Sequence, residues 1–353
     1  MSDILLRELS NTEIDWLVTS GERQEIAAQT VLILPEDDLD VFYVVLEGVL
    51  AMSAPCSGRE FAQLSRGDVF GMGWLFKAKP VSVTMAASEA SVLAVPEASI
   101  VAKLRSDASV AAHFFRAIAL IMSERIRRQF EAVQQLESRQ AELLRYQSGE
   151  RVKEALFVFG ELRDSDIGWM LSAGQIERVE AGGVLLNMGR PVDALYTVLD
   201  GQFAIETTDK PCDPLSTCSH GLKEAAKQQT FISLAHIARG GLPGIISFLD
   251  FQPLPVRIHA TQNAKLLSIS RQKMAIKLQE DLGFAARFYR VIATQTAQLL
   301  SSITATECRQ SSEDEADSLG DELGGELDME ELQQASEGAA KFDWMLRQLR
   351  VEV

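Results

Sequence analysis

The sequence predicts an α+β protein made of two tandem copies of one small β domain, each closed by helices. Three observations predict it. The 353-residue chain repeats itself over whole domains, short strand patterns recur between turn-forming residues, and each copy ends in an amphipathic helix. The stretch from Glu8 to Gly48 aligns without a gap on Glu161 to Gly201, with about a dozen identities. They include Trp16/Trp169, Gly21/Gly174, Val31/Val184, Leu32/Leu185, Tyr43/Tyr196 and Gly48/Gly201. After a loop of different length the match resumes, Ala86 to Ala119 paralleling Ala260 to Ala293. A period this long means duplicated domains rather than a solenoid.

Each copy opens on a short helix. In the first, Ser10 and Glu13 have the spacing of a capping box ahead of Ile14, Trp16 and Leu17. Short strands come next, Val31–Leu34 and Phe42–Leu46 in the first copy, Val184–Leu186 and Leu195–Leu199 in the second. Turn formers around Pro35 and Gly189 separate them. Gly48 and Gly201 end the second strand of each pair, where a tight turn calls for positive φ. Strands at this spacing predict a small sandwich or barrel.

From Asp107 to Tyr146, Phe115, Ile118, Met122, Ile126, Phe130 and Val133 recur every three or four positions, one long amphipathic helix. Its counterpart, Phe284 to Ile303, is shorter. An apolar stripe of that length needs a cover, from the same chain or from a second copy. Between Glu313 and Glu331 stand ten acidic residues and no basic ones, the composition of a flexible linker. Helical spacing returns from Met329 to Val353. The expected organisation is thus a first domain over 1–135, a helical connector over 136–156, a second domain over 157–304, the acidic linker over 305–328 and a terminal amphipathic helix over 329–353.

Composition excludes several functions. With 34 basic against 50 acidic residues the net charge is −16, which repels phosphate backbones and disfavours nucleic acid as a partner. No apolar run reaches the roughly 18 residues of a membrane span, and no secretory signal is expected at the N-terminus. Four scattered cysteines then read as reduced thiols in the cytoplasm. Cys212, Cys218 and His220 lack a second ligand pair at zinc-like spacing, so no metal is expected. Enzyme motifs are absent: no Gly-x-Ser-x-Gly elbow, no Walker loop, no His-Glu-x-x-His. His113 reads as a helix residue packed beside Phe114.

The strands reading FYVVLEGVLAMS, then LSRGDVFGMGWLF, then SVTMAASEASVLAVP before a long helix resemble the cyclic-nucleotide-binding domain of catabolite activator proteins. In protein kinase A regulatory subunits that domain occurs in tandem. The resemblance covers about Leu5–Gln135 and Phe157–Ile303. It implies two eight-stranded β-rolls of double-stranded β-helix (jelly-roll-like) type, flanked by helices and joined by a long inter-domain helix. In the family, a phosphate-binding cassette between two roll strands carries Phe-Gly-Glu at the start of a short helix. Its glutamate accepts from the ribose 2′-hydroxyl, and a later arginine pairs with the cyclic phosphate.

Both copies depart from that pattern. The first has Phe70 and Gly71, but Met72 at the glutamate position and Pro80 near the arginine position. The second has Pro243, Gly244 and Ile245, with Leu254 or Pro255 where the arginine belongs. Arg257 could stand in after a register shift, or be a strand-edge residue; His259 could face a ligand, or be packed in its strand. Charge-assisted contacts are each worth about 1.5–3 kcal/mol, so losing both disfavours cyclic nucleotide by roughly a thousandfold. No cofactor is therefore expected. The function this implies is a non-enzymatic regulatory or scaffolding subunit that engages a protein partner. Phe342, Trp344, Met345, Leu346 and Leu349 of the terminal helix are the candidate partner-binding residues. Homo-oligomerisation through the helix over 107–146 is the second expected contact. The alternative is a sensor of a cyclic nucleotide or another small anion, acting through the second domain and a moving helix.

Overall fold

A computed structural model of the full chain describes residues 4–35, 37–53, 58, 60–76, 82–134, 159–208, 231–312 and 329–351. It forms two compact units, Met1–Ile126 with Asp281–Gly320 and Arg127–Glu280 with Asp321–Val353. The connector over 136–156, the acidic stretch over 313–328, Pro80, Cys212, Cys218 and His220 lie outside the described residues.

The first unit begins with α1 (Ile4–Glu8) and α2 (Asn11–Ser20). The capping box forms as expected: the Ser10 N–H donates to Glu13 Oε2 at 2.6 Å and the Glu13 N–H to Ser10 Oγ at 3.4 Å. Eight strands come after it, β1 (Glu22–Ile26), β2 (Val31–Ile33), β3 (Val41–Glu47), β4 (Leu50–Ser53), β5 (Glu60–Leu64), β6 (Val69–Phe70), β7 (Val83–Ala86) and β8 (Ala90–Pro96). They make two antiparallel sheets, ordered β1-β8-β3-β6 and β2-β7-β4-β5. Ile33, Val45, Leu50, Leu64, Phe70 and Val92 fill the roll between them. Alternate residues of a strand point to one face, so most strands of the roll give this core one or two side chains, and the polar β1 gives it none that is fully buried.

The second unit repeats the plan. After α5 (Asp164–Ala173) come β9 (Gln175–Val179), β10 (Val184–Leu186), β11 (Ala194–Asp200), β12 (Phe203–Thr208), β13 (Phe231–Ile237), β14 (Arg257–Ala260) and β15 (Ala264–Ser270). Sheets β9-β15-β11 and β10-β14-β12-β13 keep the first roll's order. Register is kept too: Glu22 faces Ala94 and Gln175 faces Ser268, positions equivalent in the repeat. The bulge between Val45 and Glu47 recurs between Val198 and Asp200. Trp16 and Trp169 occupy the same place on α2 and α5, both half-buried.

The eight-stranded expectation holds for the first roll, whereas seven strands form among the described residues of the second. The missing strand corresponds to β6. The Gly67 and Asp68 contacts to Val45 that lead into it persist as Gly240 N–H to Val198 O at 2.8 Å and Val198 N–H to Gly241 O at 3.0 Å. Pro243 then stands at the place of Phe70 and has no N–H for the ladder.

Turns and helices complete each copy. Gly48 and Gly201 take φ of +85° and +92°. A Cβ on Gly48 would lie 2.6 Å from Ala90 Cα, and one on Gly201 2.7 Å from Ala264 Cα, so no side chain fits either turn. Helices α3 (Glu97–Ser106) and α4 (Ala108–Gln134) close the first roll. The stripe of α4 is buried at Phe115, Ile118, Met122, Ile126 and Phe130. The second copy adds α6 (Ile245–Asp250, between β13 and β14), α7 (Arg271–Glu280), α8 (Leu282–Ser312) and α9 (Met329–Gln348). Helix α8 falls in the first unit, although the repeat attaches it to the second roll. There the Arg116 guanidinium lies 6.0 Å from the Tyr289 ring centre and that of Arg290 lies 5.9 Å from Phe115. These are equivalent positions of the two copies, contacting each other reciprocally. The stripe residues from Phe115 to Phe130 are thus buried within the chain, whereas Val133 and the rest of the stretch expected to run to 146 lie outside the side chains described.

Candidate functional site

In the first roll, Phe70 ends β6 and stacks on Tyr43 with ring centres 4.7 Å apart and planes 9° apart. Gly71 has φ +74°, and a Cβ there would meet Val41 O at 2.6 Å and the Tyr43 ring at 2.9 Å. The chain then turns through Met72, buried, into a 3₁₀ turn over Gly73–Phe76. Burial, with the charge of Asp40, raises the Tyr43 hydroxyl above its ordinary pKa. Arg125 of α4 donates to the Val69 carbonyl. Around Gly71 this cassette therefore presents an aromatic stack, one ring of which is the Tyr43 phenol, and the buried thioether of Met72.

In the second roll Gly244 takes φ +77°, the same left-handed turn as Gly71. Its Cβ would lie 2.4 Å from Leu186 Cδ1. Both copies thus keep the backbone of the cassette turn but leave it differently, into a 3₁₀ turn in the first and into α6 in the second. Ile245, Ile246, Ser247 and Phe248 of α6 are all buried. The Ser247 hydroxyl accepts the Val192 N–H at 3.1 Å and donates to the Gln252 carbonyl. Phe251 caps α6 in a left-handed conformation, φ +58°, with its ring more than half exposed. Of the two residues expected at the arginine position, Leu254 is 1% exposed and Pro255 half-buried. The Leu254 N–H donates to Arg190 O at 3.0 Å and its carbonyl accepts the Gly189 N–H at 2.8 Å.

Arg257 and His259 are brought together, though on β14 and not in the cassette turn. Arg257 pairs with Glu206 of β12 through Nε at 3.1 Å and also through Nη2. Its guanidinium covers the Phe231 ring. His259 Nδ1 lies 3.3 Å from the same Glu206 carboxylate. Ile258 and Ala260 alternate with them and are buried, so Arg257 and His259 share the opposite face of the strand. Arg257 is thus engaged within its sheet, by Glu206 and the Phe231 ring.

Two arginines that the sequence does not single out converge on this cassette. Arg271, opening α7, donates from Nη2 to Val192 O at 2.8 Å and to Ser247 O at 3.1 Å. Its guanidinium sits 4.8 Å from the Phe248 ring centre and 4.5 Å from that of Phe251. Burial pulls its pKa below the ordinary arginine value, against the charges of Asp250 and Asp193. Arg127 counts with the second unit and grips the residues after α6. It meets Asp250 through Nε and Nη2, both at 2.8 Å, Pro253 O through Nη1 at 2.6 Å and Gln252 O through Nη2 at 3.3 Å. Pattern reading found neither, because both lie outside the family's cassette positions.

The terminal helix α9 packs on its own chain in the second unit. Phe342, Met345 and Leu346 are buried, and the Phe342 ring centre is 5.0 Å from that of Phe159. Lys341 Nζ donates to Leu162 O at 2.7 Å and Gly160 O at 3.3 Å. Leu349 is half-buried, and Trp344 is 42% exposed. Among the described residues no group of three or more His, Cys, Asp or Glu is placed to hold a metal ion, and no helix is long and apolar enough to cross a membrane.

Residues 23–107 match the family model of the cyclic nucleotide-binding domain. No curated protein matches the chain. Among solved structures, the regulatory domain of Toxoplasma gondii PKA with cAMP is 15% identical over 88% of this chain and 92% of that one, with a TM-score of 0.28. The regulatory subunit of a cAMP-independent protein kinase A from Trypanosoma cruzi, bound to guanosine, is 12% identical over 78% and 80%, at 0.28. The N-terminal domain of a transcriptional regulator from Streptomyces coelicolor A3(2) is 25% identical over 36% and 92%, at 0.30. The family match is confined to residues 23–107, and the second half of the chain repeats the strand order and register of that segment.

Proposed function

We propose that the chain is a non-enzymatic regulatory or scaffolding subunit that works in the cytoplasm through a protein partner, with neither cassette employing cyclic nucleotide. One observation carries the reading. Where the family resemblance places the phosphate arginine, the second roll holds Leu254, 1% exposed, or the half-buried Pro255, while Arg257 is committed to Glu206 and Phe231. A cyclic phosphate entering there would exchange water for apolar side chains, and the two arginines near it are already engaged, Arg271 with the Val192 and Ser247 carbonyls and Arg127 with Asp250, Gln252 and Pro253. Met72 and Ile245 likewise offer a ribose hydroxyl no acceptor. On the partner side, Trp344 is the large apolar residue that the folded-back α9 leaves in solvent, and such residues are frequent anchors of protein interfaces.

Calorimetric titration of the full chain with cyclic AMP and with cyclic GMP tests the proposal. The expected result is no binding heat at micromolar ligand. A micromolar dissociation constant for either would overturn it and make the chain a nucleotide sensor.

A further inference from the structure

We propose that the loop Asp250–Leu254 of the second cassette is a guanidinium-binding site and that the chain's own Arg127 is its resident ligand. The proposal deepens the reading of a cassette that works without cyclic nucleotide, and it concerns the interaction that holds that cassette in shape instead. A phosphate site is built from donors: N–H groups and a cation aimed at an anion. The residues after α6 present the reverse. Asp250 offers both carboxylate oxygens, and Gln252 and Pro253 offer carbonyls, all to one planar group. Two parallel N–H···O bonds at 2.8 Å to one carboxylate match the fork of a guanidinium, which an ammonium cannot copy.

The acceptors are also tied by hydrogen bonds that do not involve Arg127. Asp250 Oδ1 also takes the Gln252 N–H at 2.9 Å, and Ser247 donates to the Gln252 carbonyl from below. The Phe251 N–H closes on Ser247 O at 2.9 Å, and Leu254 is hydrogen-bonded in both directions to Gly189 and Arg190. Phe251 accepts a left-handed backbone to complete the loop, a conformation that persists in a bulky residue only when its surroundings over-determine it. The Arg127 side chain is 10% exposed and that of Asp250 is 14% exposed, so the pair is largely out of water. Removing one member leaves the other's charge buried and unpaired. An anion brought to this loop would face a carboxylate and two carbonyls, whereas a guanidinium finds every acceptor it needs.

Chemical rescue in the full chain tests this. Arg127→Ala should leave a guanidinium-shaped vacancy, and amide exchange across 245–257 should accelerate by roughly a hundredfold, with strand 41–47 as the unaffected internal control. Millimolar ethylguanidinium should restore protection saturably, ethylammonium at matched ionic strength should not, and Arg127→Ala with Asp250→Asn should not respond. Should Arg127→Ala fold poorly, Arg127→Lys keeps the charge without the fork, and ethylguanidinium should still add protection to it. Unchanged exchange in Arg127→Ala, or equal rescue by both amines, would overturn the site. Micromolar cyclic nucleotide binding by the parent chain would instead remove the reading beneath it, while leaving a positive rescue standing.

Discussion

Replacing Phe342 by Ala separates a terminal helix that belongs to its own fold from one reserved for a partner. The ring is 4% exposed and lies 5.0 Å from Phe159, itself 1% exposed. Truncating a buried phenylalanine costs about 3–5 kcal/mol, through lost transfer free energy and the cavity left behind. Trp344, two residues on, is 42% exposed, and substitutions at such positions stay within about 0.5 kcal/mol. Neighbouring positions on one helix should thus differ by about an order of magnitude in effect. A chain of two compact units has no single unfolding free energy, so the measurement should be local. Amide exchange in α5 and at Phe159–Leu162 reports on the packing of α9, alongside the urea midpoint. The expected result is a large loss of protection in Phe342→Ala and none in Trp344→Ala, with deletion of Gln310–Val353 at least as severe as the former. Equal effects, or a greater loss from Trp344→Ala, would refute the fold-back packing.

Two further predictions concern the cassette turn and the N-terminal cap. Gly244→Ala should destabilise the second roll by about 2–4 kcal/mol in urea unfolding, from the left-handed backbone plus a Cβ driven to 2.4 Å of Leu186; a change under about 0.5 kcal/mol would show the turn to be adaptable. Glu13 is buried, which works to raise its pKa, yet hydrogen bonds from the Ser10 N–H, His113 and the Ser10 hydroxyl hold it below the ordinary 4.5. A carboxyl depressed on folding stabilises fully above its unfolded value and loses that contribution as pH falls through its folded one. Glu13→Gln should therefore be less stable than the parent at neutral pH, with the gap closing as acid is added below the ordinary carboxyl range; a gap independent of pH would mean the carboxylate charge contributes nothing.

The repeat was the most legible feature because duplicated strands must reproduce their register. A slip of one residue would turn every core side chain to solvent, so Tyr43 and Tyr196, Gly48 and Gly201, keep both identity and place. The capping box was legible for a similar reason, since its two hydrogen bonds depend on residues three apart. The missing eighth strand was legible only in hindsight: Pro243 reads as a departure from a motif before it reads as a missing ladder donor. The placement of α8 was not legible at all. A stripe of Phe288 and Ile292 states that a helix needs a cover without stating which surface supplies it, and the reciprocal contacts with Phe115 and Arg116 arise only once both helices exist.

The site divides along the same line between local and distant information. Left-handed glycines at 71 and 244 are properties of a short stretch of chain, and sequence placed both. Arg127 is 123 positions from Asp250, on a helix whose neighbours Arg125 and Arg128 look identical to it in composition. Nothing in the spacing distinguishes an arginine that faces water from one that enters an acceptor-lined loop. The difference lies in burial, because a guanidinium at 10% exposure must find nearly all its partners inside the protein. Met72, Ile245 and Leu254 or Pro255 are where the sequence departs from the family pattern. In the second cassette the structure adds charge of the opposite arrangement, a carboxylate on the loop and the arginine on a helix far away in sequence, and such a pair leaves no motif because its two halves are joined only by folding.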